Sequence, residues 1–153
     1  MANALNLTLP LKQDTASQQA LAELAAKFAT TIQPAIDKAL RESRIVHFAR
    51  VLVIDNKYLQ VITEYDGDHR AYTEFFRKAL PEVFAKLFSL AEGAPPFDTM
   101  TENVFLQVAK KHNIRSLGEA TDGSIGLDGQ PAGYLFSAYD DREVKEVLQK
   151  LGQ

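Results

Sequence analysis

Leu5, Leu7, Leu9 and Leu11 alternate with Asn6, Thr8 and Pro10, the period-two pattern of a strand with one buried face. Pro10 confines that strand to an edge or an end. From Thr15 the period lengthens: Leu21, Leu24, Phe28, Ile32, Ile36 and Leu40 recur at steps of three and four, which predicts a helix that Pro34 kinks or divides. Two apolar runs, near 45–54 and 58–65, flank the polar break Asp55-Asn56-Lys57 and predict a hairpin. After Asp66-Gly67, Asp68 is placed to cap a helix with Tyr72, Phe75, Phe76, Leu80, Val83, Phe84 and Leu87 on one stripe. Pro81 bends this helix, and Gly93 with Pro95-Pro96 ends it. Thr99 and Glu102 stand at capping-box spacing before a short inserted helix that runs to about Asn113. Five of the eight glycines lie between Ser116 and Gly133, so a long loop or loose hairpin is expected there. Tyr134, Phe136 and Ala138 alternate as a last strand, and Asp140-Asp141 cap a final helix carrying Val144, Val147, Leu148 and Leu151.

Without the inserted helix and the tail, the order is βαββαβ, the ferredoxin-like plan of an α+β fold with helices on one face of an antiparallel sheet. A length of 153 residues fits one such domain over 1–153. Both alternating sets of the first hairpin strand are largely apolar: Ile45, His47, Ala49, Val51 and Val53 on one side, Val46, Phe48, Arg50, Leu52 and Ile54 on the other. One layer of helices covers one set. The other calls for a second subunit, so a homodimer with facing sheets is expected.

The composition, 46% hydrophobic and 24% charged, is that of a globular protein. Scattered basic residues and a net charge of −3 argue against nucleic acid as a partner. The absence of cysteine excludes disulfides, thiolate catalysis and zinc-thiolate or cysteine-ligated iron–sulfur sites. The first residues lack the basic start and apolar core of a secretion signal, and no run approaches a membrane span, so the expected setting is cytoplasmic with no membrane partner.

The HFAR stretch His47–Arg50 and the Tyr65-Asp66-Gly67 end of the hairpin, together with the element order, resemble the dimeric α+β barrel superfamily of ferredoxin-like proteins, and more narrowly bacterial domains of unassigned function with an HFAR…YDG pattern. The resemblance runs from the first helix to the last strand. That superfamily includes haem-binding peroxidase-like enzymes, small monooxygenases and haem-degrading proteins beside members that only bind small molecules, so the resemblance admits haem as a cofactor without selecting a chemistry. Dye-decolourising peroxidases carry GxxDG near their haem; here the window 63–67 has Thr63 in place of the first glycine.

Which polar groups meet depends on the hairpin register. A turn at Asn56-Lys57 puts Ala49 opposite Glu64 and His47 opposite Asp66, whereas a turn extended through Tyr58 puts Arg50 opposite Glu64. His47 is a candidate haem ligand or acid/base group, and equally a half-buried histidine bonded to a carboxylate. Arg50 is suited to clamp a carboxylate or to stabilise developing negative charge, and equally to an internal ion pair with Glu64 or Asp66. Asp66-Gly67 is a motif element or simply a strand-to-helix turn. Tyr65, Tyr72 and Tyr139 are either pocket hydroxyls or core and interface aromatics, and His69 and His112, at a helix start and end, read as surface residues. The glycine-rich segment lacks a phosphate-loop lysine and calcium-loop spacing, which leaves a flap or a connector.

The function expected from this pattern is binding of a small organic molecule in an apolar pocket beside the hairpin, rimmed by His47, Arg50, Glu64 and Tyr65, with Asp66 and Tyr139 as further ligand-binding candidates. The alternatives are a haem- or oxygen-dependent oxidative enzyme with His47 and Arg50 as its catalytic pair, and a dimeric structural or interaction module.

Overall fold

The computed structural model describes residues 2–153. Its first strand, β1 (Asn3–Pro10), buries Leu5, Leu7 and Leu9 as the leucine alternation requires. Asp14 caps α1 (Thr15–Thr31), and α2 (Gln33–Ser43) starts afresh with Pro34 in its first turn, where a proline has no hydrogen bond to lose. Strands β2 (Val46–Ile54) and β3 (Tyr58–Tyr65) form the hairpin. Asp68 caps α3 (His69–Ala79) through the Ala71 amide, and Pro81 opens α4 (Pro81–Leu90), so this aromatic-rich helix is also divided at its proline. α5 (Glu102–His112) and a short α6 (Val144–Lys150) complete the chain. None of the described helices is long and apolar enough to cross a membrane.

The three strands form an antiparallel sheet in the order β1-β3-β2. Its inner face carries Leu5, Leu7, Leu9, Leu59, Thr63 and Tyr65, which pack against the helices with Tyr72, Phe76, Leu87, Phe88 and Phe105. Tyr65 and Tyr72 stack with ring centroids 3.7 Å apart and planes 5° from parallel. Each such large side chain contributes about 1.5–3 kcal/mol by leaving water, so this layer dominates stability. Arg77 adds a two-pronged pair with Glu74, both contacts 2.8 Å, which holds the Glu74 carboxyl below its usual range.

Several expectations are corrected. The hairpin adopts neither register read from the sequence: Phe48 stands opposite Glu64 and Arg50 opposite Ile62. The loop lies one residue earlier, at Asp55-Asn56-Lys57, because Asp55 and Asn56 both take left-handed backbone (φ 56° and 53°) and the Lys57 amide donates to the Ile54 carbonyl. Aspartate and asparagine tolerate that conformation without glycine. Between Val46 and Phe48 the pairing slips by one residue, which makes His47 the extra residue of a bulge. The last strand is absent: Tyr134, Phe136 and Ala138 pair with no strand. The free edge of β1 is taken instead by Asn113 and Ile114, whose side chain and backbone bond to Asn6, and farther along by Leu90–Glu92. The cap of α5 is Thr101, which accepts from the Val104 amide, not Thr99; that of α6 is Glu143, in a reciprocal capping box with Glu146, not Asp140-Asp141. The glycine-rich segment is a closed loop. Tyr134 donates its amide to Leu117 and Ala120 donates to Ala132, while Gly133 lies so close to Ser116 that no Cβ fits.

Candidate functional site

Two places collect polar or hollow features, and the residues named from the sequence divide between them. The first is an apolar cavity of about 250 Å³ between the inner face of the hairpin and the helices, walled by Phe28, Leu40, Val61, Phe76, Val83 and Leu87. Gln33, Asp37 and Arg50 are the polar residues on its outer side, and Thr63 and Tyr72 those on its inner wall. Thr63 Oγ1 and the Tyr72 hydroxyl lie 2.7 Å apart in full burial. Two hydroxyl hydrogens serve one bond between them, which leaves one to offer a guest. Burial pushes the Tyr72 hydroxyl upward, so it remains a neutral donor or acceptor across the whole ordinary pH range.

The second place is the corner where β3 turns into α3. Here the bulge brings His47 Nε2 to 2.8 Å from Asp66 Oδ1, with the side chains only 8% and 10% exposed. The other ring nitrogen, Nδ1, lies 3.0 Å from the Tyr139 hydroxyl. The second Asp66 oxygen accepts from the Val144 amide at 2.8 Å, the first residue of α6, where an anion meets the positive end of the helix. In the tautomer whose Nε2 hydrogen goes to Asp66, Nδ1 is the acceptor for the Tyr139 hydroxyl. Gly67, with φ at 88°, makes the sharp exit from this corner that only glycine takes without strain.

A second histidine works beside it. Tyr65 Oη lies 2.6 Å from His69 Nδ1, and His69 Nε2 donates to the Ile125 carbonyl at 2.7 Å. Because Nε2 spends its hydrogen on that carbonyl, Nδ1 of this tautomer is left as the acceptor for the Tyr65 hydroxyl, which burial keeps protonated. His69 thereby ties the glycine-rich loop to the sheet, as His47 and Asp66 tie down the last helix. Nothing in the spacing of the sequence marked the role of His69, because its partner is a backbone carbonyl 56 positions away.

His47, Asp66 and Tyr139 are thus brought together, but of the candidate site residues weighed from the sequence only Arg50 and Tyr72 line the cavity. Tyr65 is core. Glu64 faces the opposite side of the sheet, between Ala4 and Phe48, where burial raises its carboxyl above the usual range against the lowering pull of Arg50 and His47. Haem does not fit the residues present. Both His47 nitrogens are engaged and the cavity is too small for a porphyrin, given that a 150 Å³ apolar cavity holds benzene. Among the described residues no group of three or more histidine or acidic side chains is arranged to hold a metal ion. No protein-family model, no curated protein and no solved structure matches the chain.

Proposed function

We propose that this protein is a ferredoxin-like, homodimeric binder of a small neutral organic molecule. The cavity beneath the hairpin carries the reading. Scaled from the benzene-sized case, 250 Å³ accommodates about ten non-hydrogen atoms, the size of a fused bicyclic ring. Its wall of phenylalanine, leucine and valine favours an aromatic or branched apolar body, and the Thr63–Tyr72 pair supplies one point of polar recognition, as in most small-molecule sites. A charged ligand is disfavoured on the inner wall, because no charged side chain faces it there to offset desolvation.

The test is a thermal melt with indole and 2-naphthol as probes. Ligand at one hundred times its Kd stabilises by about 2.7 kcal/mol, which for a chain of this size is a rise of roughly 5–10 °C in Tm. Ala49→Phe, which projects a ring into the cavity, abolishes the rise while leaving the far-ultraviolet spectrum unchanged. Absence of a shift in the wild type with either probe and with toluene removes the binding reading and leaves a dimeric interaction module.

A further inference from the structure

Thr63 and Tyr72 are each 5% exposed, and both line the cavity. Both are held rigidly. Thr63 stands on the central strand with a branched Cβ that restricts its χ1, while the Tyr72 ring is stacked on Tyr65 and tilted against Phe76 with centroids 5.0 Å apart. Their oxygens, 2.7 Å apart, share one hydrogen between them. Among the described residues neither oxygen has a further hydrogen-bond partner, so one hydrogen is spare whichever of the two donates. The backbone beside them is no competitor. Because β3 is paired on both sides, the ladder spends the amides and carbonyls around Val61 and Thr63.

We infer that the guest of this cavity is a carbonyl compound, a ketone, ester or lactone with a compact apolar body, and that the spare hydrogen of the Thr63–Tyr72 pair is donated to its carbonyl oxygen. The inference rests on the small-molecule reading above and names the chemical class that the site selects. A carbonyl oxygen accepts a hydrogen bond and brings no hydrogen of its own, so with such a guest every donor on the inner wall is satisfied. The donor is already fixed in place, which spares the guest the cost of ordering it.

Guests of other classes leave something unpaired. A hydrocarbon gives the spare hydrogen no acceptor under full cover, where an unsatisfied donor carries the whole cost of its lost water. An alcohol, phenol or amine takes up that hydrogen but adds another, and the phenylalanine, leucine and valine around it accept nothing. Its one outlet is back onto the same two oxygens, in a ring of three polar groups that bends each bond far from linear. A carboxylate accepts as well, but meets no cation on the inner wall to offset its desolvation.

Titration calorimetry of the full chain with indane, 2-indanone and 2-indanol provides the test, since the three share one frame within the roughly ten non-hydrogen atoms that the cavity takes. The wild type binds 2-indanone about tenfold more tightly than 2-indanol. The double variant Thr63→Val with Tyr72→Phe loses both hydroxyls at once and leaves no orphan behind, so it folds and still binds indane. In it the affinity for 2-indanone relative to indane falls about tenfold. The carbonyl stretch of bound 2-indanone is a second readout: it lies on the low-frequency, hydrogen-bonded side of its position in alkane for the wild type, and at the alkane position for the double variant. Equal binding of ketone and alcohol, an unchanged ratio in the double variant, or an alkane-like stretch in the wild type overturns the carbonyl class while leaving the cavity as a binding site. Failure of all three guests to bind the wild type removes the binding reading and the carbonyl class together.

Discussion

Residues 2–115 and residues 116–153 are held to the same sheet by different physics. In the first region almost every element contributes buried apolar side chains, and one core cluster runs from Leu5 to Val108 and takes in Leu127 alone from beyond it. In the second, Leu127 is the one residue among those described that is buried, and α6 buries none. What holds the tail is polar: His69 on the Ile125 carbonyl, His47 on Tyr139, and Asp66 on the first amide of α6. A hydrogen bond contributes about 1 kcal/mol net, so the tail opens locally at a fraction of the cost of unfolding the sheet. His47, named from the sequence as a catalytic candidate, and His69, read there as a surface residue, both serve here as fasteners.

That contrast is open to direct attack. Leu59→Ala, at a fully buried position near the start of β3, costs about 2–5 kcal/mol and lowers the stability of both regions together, read as a single cooperative shift in a urea transition. Asp66→Ala leaves His47 and the Val144 amide without their acceptor and costs about 1–3 kcal/mol, chiefly in the tail. Hydrogen exchange then accelerates at 144–150 while the β1 and β3 amides keep their protection; equal loss in both regions would erase the distinction. Glu64→Gln has the smallest effect and a pH signature. Because burial raises the carboxyl of Glu64 in the folded chain, the folded state holds its proton more tightly than the unfolded chain does. Its contribution is therefore fully present below the ordinary value of 4.5 and is lost as pH rises through the raised folded value. The glutamine variant lacks that decline, so the difference in melting temperature between variant and wild type widens in its favour as pH climbs from 4 toward neutrality, and a constant difference would assign no burial cost to Glu64.

The elements were legible where one physical rule governs them. Alternating leucines announced β1, and Pro34 announced a kink or division; Pro81, read as a bend, instead opens a new helix, since a proline at a helix start has no amide to lose. Register was not legible. It was set by two non-glycine residues, Asp55 and Asn56, accepting left-handed backbone, and by a bulge that leaves no trace in the apolar pattern. Alternation at Tyr134, Phe136 and Ala138 named a face but not a partner, and the edge that a fourth strand would need is taken by Asn113 and Ile114. At the site, the choice of His47, Asp66 and Tyr139 drew together residues that do meet, because a half-buried imidazole requires a carboxylate or hydroxyl. The amide of Val144, 78 positions from Asp66, carries no signature in its own side chain. The cavity likewise arises from the packing of four helices on a hairpin, a volume that no single segment encodes.

β2 borders the sheet with nine consecutive residues, VHFARVLVI, of which two carry polar side chains. Such a ribbon invites any stray extended peptide to zip alongside it. The kink at position 47 interrupts the ladder near one end, and the guanidinium at position 50 interposes a hydrated charge midway, so a newly made chain passes through its crowded, half-folded moments with a built-in deterrent against fibrils.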